Sequence, residues 1–132
     1  MFADKQTALE MFIKDHANMA GLSLIFENVP SGETELYDEF LRFTIQYGDS
    51  KHMQIGGNGY RHFGVLMSQI FLREGVGVAR GVVLADLVST MLRDQVVSGV
   101  NLWVPYVTKI PFSEKGWFQL QVTTPFYFDE VI

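Results

Sequence analysis

The segment Tyr60-Arg-His-Phe-Gly-Val-Leu-Met-Ser-Gln-Ile-Phe-Leu72 decides the fold. It holds no proline and one glycine, Gly64, and reads as a long strand. Phe63, Val65, Met67 and Phe71 lie on one parity, and Leu66, Ile70 and Leu72 on the other. Alternate residues of a strand point to opposite faces, so both faces of this strand are apolar. One core layer cannot satisfy both. Either a helix covers each side, or another subunit covers the second.

The flanking sequence supplies a partner for that strand. Gly56-Gly-Asn-Gly59 is a turn signal, because glycine and asparagine accept positive φ at little cost. Before it, Leu41, Phe43, Ile45 and Tyr47 alternate with Arg42, Thr44 and Gln46, the period of a half-buried strand over residues 40–47. Gly48-Asp49 suggests a bulge or a bend, with polar pairing resuming over Lys51–Ile55. The two strands form a long hairpin.

Further out, residues 5–20 read as a helix with Leu9, Phe12, Ile13, Ala17 and Ala20 on one face, Asp4 as N-cap and Gly21 as stop. Leu22–Phe26 reads as a short strand, and Asn28, Pro30, Ser31 and Gly32 mark a loop. Glu33, Glu35, Asp38 and Glu39 make the next stretch acidic and solvated. Gly75-Val-Gly77 breaks the chain before a second helix over 78–94, where Leu84, Leu87, Val88 and Met91 follow helical spacing. Residues 102–107 and 117–128 read as strands, with Ser113-Glu-Lys-Gly116 as a turn. The order α-β-β-β-α-β-β predicts an α+β domain spanning residues 1–132, a single mixed, mostly antiparallel sheet of about five strands with two helices packed on it.

Composition narrows the function classes. A chain of 132 residues fits one domain. It has no cysteine, which excludes a disulfide framework, a thiolate nucleophile and cysteine-ligated zinc. A formal net charge of −5 argues against a nucleic-acid binder and against docking on anionic lipid. Asp4, Lys5, Glu10, Lys14 and Asp15 interrupt any leader-like apolar run, and no stretch approaches the ~20 apolar residues of a membrane span.

Motifs that could carry chemistry are incomplete. Gly75-Val-Gly-Val-Ala-Arg-Gly81 lies where a dinucleotide loop would lie, but its spacing is one residue too long and its strand comes from a hairpin. Gly56–Gly59 lacks the Lys-Ser/Thr pair of a phosphate loop. His16, His52 and His62 show no metal-ligand spacing, although His52 and His62 could face each other across the hairpin. Serines lack a nucleophile-elbow setting. These features predict no catalytic residue, no cofactor and no metal. A small nucleotide-binding module or enzyme is the remote alternative. Tyr60, Phe63, Trp103, Tyr106, Trp117 and Phe118 cluster on three strands, mostly as core, with some as anchors for protein contacts.

Several motifs, taken in order, resemble the tail-terminator-like proteins of long-tailed bacteriophages. They are Ile25-Phe-Glu-Asn-Val-Pro30, Phe40-Leu-Arg-Phe43, Gly56-Gly-Asn-Gly59, Tyr60-Arg-His-Phe-Gly64, the strand Val65–Leu72, Gly75-Val-Gly77, Gly116-Trp-Phe-Gln119 and Val122-Thr-Thr-Pro-Phe126. The resemblance covers most of residues 22–128. It implies a virion protein, assembled in the host cytoplasm, that forms a ring, usually a hexamer, on the head-proximal end of the tail tube. Such a ring stops tube polymerisation and offers a surface for head joining. The implied partners are copies of itself, the tail-tube protein and a head-completion protein, with DNA passing through unbound and no membrane. A neighbouring head–tail connector or tail-completion protein is the close alternative. No catalytic residue carries over. Arg42, Arg61 and Trp117 match recurring positions and are read as packing residues. On this reading the subunit or tail contacts fall on Asn58, Tyr60, Arg61, His62, Leu66, Ile70 and Trp103.

Overall fold

The computed structural model describes residues 2–20, 24–26, 39–53, 59–73, 75, 78–110 and 116–131. Two helices and seven strands follow one another as α1 (Phe2–Ala20), β1 (Leu24–Phe26), β2 (Glu39–His52), β3 (Gly59–Arg73), α2 (Val78–Leu92), β4 (Val96–Val97), β5 (Val100–Leu102), β6 (Tyr106–Ile110) and β7 (Trp117–Val131). The strands form one sheet in the order β1-β2-β3-β7-β5-β4, with β6 also paired to β7. Only the β1–β2 pairing is parallel among these. This is the expected α+β architecture of two helices on a mixed, mostly antiparallel sheet.

The Tyr60–Leu72 segment is the central strand. β3 pairs with β2 on one side and with β7 on the other, the latter from Gly59↔Val131 to Arg73↔Trp117. The β2–β3 register shifts between Tyr47 and Ser50, the bulge that Gly48-Asp49 foretold. Pairing then resumes through Ser50↔His62, Lys51↔Arg61 and His52↔Tyr60.

Parity now assigns the two faces. Leu41, Phe43, Leu66, Ile70, Leu72, Leu120, Val122, Phe126 and Phe128 share one face and form one cluster with Leu9 and Ile13 of α1 and Leu84, Ala85, Val88 and Leu92 of α2. Both helices therefore cover the same side of the sheet. The opposite face, here the open face, carries Phe40, Arg42, Phe63, Val65, Met67, Phe71, Trp117 and Tyr127, and neither helix packs on it among the described residues. A helix on each side, one of the two sequence expectations, is not what forms.

Two close approaches bring the layers together. A Cβ on Gly64 would lie 2.5 Å from Phe126 Cζ and 2.7 Å from the Gln46 carbonyl oxygen. A Cβ on Gly81 would lie 2.7 Å from Leu120 Cδ1 and 2.9 Å from Leu72 Cδ1. Gly81 thus lets α2 settle onto β3 and β7.

The boundaries differ from the sequence reading in three places. Helix α1 starts at Phe2, so Asp4 sits in its first turn rather than at the cap, where its charge still suits the helix dipole. The strand expected over 102–107 is two strands, β5 and β6, parted at Trp103–Pro105. Between α2 and β5 lies an additional hairpin, β4–β5, turned by Ser98 (φ 48°) and Gly99 (φ 85°). Lys5 of α1 donates to the Ser98 carbonyl at 2.6 Å and ties the first helix to that turn. The expected stop at Gly21, the acids at 33–38, Val76-Gly77 and most of the 113–116 turn lie outside the described residues.

The core makes two opposed predictions. Ile70 is fully buried beneath the helices, so Ile70→Ala should cost about 2–5 kcal/mol in urea unfolding. Thr124 is equally buried and its hydroxyl has no partner, so the isosteric Thr124→Val should raise stability by about 1 kcal/mol. A destabilised Thr124→Val protein would show that the hydroxyl is bonded after all.

Candidate interaction surfaces

The expected contact residues part company in the structure. Leu66 and Ile70 are 0% exposed within the helix-covered core. Their parity turns them under α1 and α2, so they are corrected from contact to core residues. His62 is 8% exposed and is likewise no surface contact. Its Nδ1 lies 2.6 Å from Ser50 Oγ, and its ring sits against Phe2 at 4.8 Å and Phe128 at 5.1 Å. Its Nε2 has no hydrogen-bond partner and lies 3.9 Å from Glu130. His52 is not opposite His62, because His52 pairs with Tyr60 and its ring lies tilted against that of Tyr60 at 4.8 Å. No group of His, Cys, Asp or Glu among the described residues could hold a metal. Asn58 lies outside the described residues.

Arg61 and Trp103 both lie against the Tyr127 ring, on the open face. Arg61 makes a bidentate pair with Asp129, at 2.7 and 3.0 Å, and lies 4.3 Å above the Tyr127 ring. Trp103 is 48% exposed, with its ring 5.5 Å from Tyr127. Its amide donates to the Pro125 carbonyl at 2.9 Å, which holds the β5–β6 break against β7.

That arrangement repeats across the open face. Arg42 lies over Phe71 at 5.1 Å, Lys51 over Phe63 at 5.7 Å, and Arg73 over Trp117 at 4.0 Å. Phe40, Phe71 and Trp117 form a second small cluster there, with Phe40 stacked on Phe71 at 4.5 Å. Aromatic rings on an open sheet are thus capped by long basic side chains, whose stems cover apolar surface while the charge stays in water. At paired strand positions the open face carries Arg42, Lys51, Arg61 and Arg73, with Arg61 paired to Asp129.

Beside it, β6 is a sheet edge. Val104, Tyr106 and Val107 are 61%, 55% and 49% exposed. The β6 register, Tyr106↔Thr123 and Thr108↔Gln121, puts Tyr106 and Thr108 on the open face near Trp103. Natural edge strands usually avoid such an apolar run, and β6 has no second strand neighbour among the described residues.

On the far side, α2 offers a second apolar surface. Val78, Val82, Val83 and Leu87 are each more than two-fifths exposed. Helices apolar on all sides belong in a buried setting. Within the Gly75–Gly81 segment, Gly81 lies inside α2 against Leu72 and Leu120, and β3 pairs antiparallel with both neighbours, unlike the parallel strand that precedes a dinucleotide loop. Among the described residues no helix is long and apolar enough to cross a membrane.

No protein-family model and no curated protein matches the chain. Among solved structures, one superposes over 100% of this chain and 97% of its own with a TM-score of 0.74, at 12% sequence identity. At that identity the likeness concerns the fold.

Electrostatics here stabilise the scaffold. Arg80 of α2 binds Glu39 of β2 through both carboxylate oxygens, at 2.9 and 2.7 Å. The hydrogen bond from Arg80 holds the Glu39 carboxyl below its ordinary value of 4.5, against an opposing effect of burial. Arg61 likewise lowers Asp129 from 3.8. A carboxyl with a depressed folded pKa contributes stability above its unfolded value and loses it as pH falls through the folded one. The difference in melting temperature between wild type and Glu39→Gln should therefore be greatest near neutrality and shrink on acidification below 4.5. A difference independent of pH would remove the ion pair from the account.

Proposed function

We propose that this protein is a structural component of a phage virion that caps the head-proximal end of the tail tube as a ring, stopping tube polymerisation and presenting a surface for head joining. The observation that carries the reading is the pair of unlike exposed apolar surfaces on opposite sides of one sheet. These are Val78, Val82, Val83 and Leu87 on α2, and Trp103, Val104 and Tyr106 at the open face. A chain with two different sticky surfaces associates head to tail, and a head-to-tail contact repeated by rotation closes into a ring. Trp, Tyr and Arg, which gather around Trp103, are the residues that most often anchor such contacts.

The ordered motifs of residues 22–128 supply the virion context, and the ring geometry fits it. In this reading the partners are further copies of the chain, the tail-tube protein and a head-completion protein. The protein acts by contact and has no catalytic role. Its place is the head-proximal end of the tail, after assembly in the host cytoplasm.

Light scattering over a concentration series, with and without purified tail-tube protein, tests this. The expected result is a ring of about six subunits, formed either alone or on the tube end. Trp103→Ala should abolish assembly while leaving the unfolding midpoint nearly unchanged, because the indole is half exposed. A wild-type protein that stays monomeric and ignores the tubes at every concentration would overturn the reading.

A further inference from the structure

The backbone of β6 is free on one side, and its hydrogen-bonding direction can be read residue by residue. Trp103 donates its amide to the Pro125 carbonyl at 2.9 Å, so the Pro125 carbonyl faces β5 and β6 rather than β3. Backbone groups alternate in direction along a regular strand, and the β3–β7 register is unbroken. Thr123, Gln121 and Gln119 therefore face β6 as well. Their partners Tyr106, Thr108 and Ile110 spend their N–H and C=O groups on β7. Val107 and Lys109 direct theirs away from the sheet, where no further strand pairs among the described residues. Tyr106, Val107, Thr108 and Lys109 are all exposed.

Proline closes this free edge at both ends. Pro105 and Pro111 hold the next positions of the same parity, and neither has an N–H to offer. The edge thus presents the donors of Val107 and Lys109 between positions that cannot donate. Such a segment is complementary to itself in one register. Run antiparallel about a two-fold axis at Thr108, Val107 exchanges both backbone bonds with Lys109 of the second copy, and Lys109 does the same with its Val107. Proline then lies opposite proline, beyond the last bond. A shift of two residues either way sets a proline opposite Lys109 or Val107 and leaves a carbonyl without its donor. Side chains agree with the unshifted register. Tyr106 meets Ile110, Thr108 meets Thr108, and Lys109 stands opposite Val107 rather than another lysine.

We propose that two copies of the chain join edge to edge through β6, antiparallel about a two-fold axis at Thr108, so that their sheets run into one. The contact is isologous and short, so the pair is weak and reversible. It is independent of the ring reading. Tyr106 belongs to both surfaces, so a paired copy is withheld from the ring.

The absence of cysteine makes a direct test available. Across the axis Thr108 faces its own counterpart at a non-hydrogen-bonded position, where Cα atoms lie about 4.5 Å apart, within the span of a disulfide. In the free protein Thr108→Cys should oxidise to a covalent dimer. Tyr106→Cys, opposite Ile110 rather than its own counterpart, should stay monomeric under the same conditions. Lys109→Pro removes a free N–H and no bond to β7. By light scattering it should lose the reversible dimer that wild type forms at high concentration, with the urea unfolding midpoint nearly unchanged. Thr108→Cys that stays monomeric, or Tyr106→Cys that cross-links equally well, would overturn the pair. A wild-type dimer that persists undiminished in a folded Lys109→Pro protein would overturn β6 as its contact. Capped tubes without any Thr108→Cys dimer would remove the pair and leave the ring standing.

Discussion

Everything in this molecule hangs on the pairing of β3 with β7, unbroken from Gly59↔Val131 to Arg73↔Trp117. A strand paired along its whole length with β7, and with β2 on either side of one bulge, cannot slip by one residue without turning its entire buried face outward. Leu66, Ile70 and Leu72 are thereby committed to the helices, together with Leu120, Val122 and Phe126 of β7. The same register commits Phe63, Val65, Met67 and Phe71 to the other side. The helices then follow. Gly81 lets α2 approach Leu72 and Leu120, and Lys5 fixes α1 to the Ser98 turn.

With both helices on one face, no helix packs on the sheet's second face among the described residues, although Phe40, Phe71 and Trp117 on it are buried. Most soluble domains either make such a face polar or cover it. Here it is aromatic and capped by arginine and lysine. Arg42, Lys51, Arg61 and Arg73 lie over these rings, and their stems cover apolar surface.

Much of this was legible in the sequence, for identifiable reasons. Strict alternation from Leu41 to Tyr47 and helical spacing from Leu84 to Met91 reported real elements, because each has one buried side. Gly48-Asp49 reported its bulge. The Ser98-Gly99 hairpin was missed although the dipeptide is a turn signal, since its flanking strands are too short to show a period. The β5–β6 break was missed because Trp103-Val-Pro105 remains apolar through it. The contact residues failed where a doubly apolar strand offers no clue to which parity is outermost. Leu66 and Ile70 look as exposed in sequence as Phe63 does, and only sheet order and helix placement separate them. Trp103 does lie at the surface, but residue type left it open between core and contact, and its neighbours on β7 are what place it.

The central claim is that the protein ends a tube by closing a ring upon it. Its most direct test is the length distribution of tail tubes polymerised from purified tube protein, measured by negative-stain electron microscopy, with this protein added at increasing ratio. The account predicts progressively shorter tubes, each bearing a ring at one end only. Tubes of unchanged length with no terminal ring would contradict it.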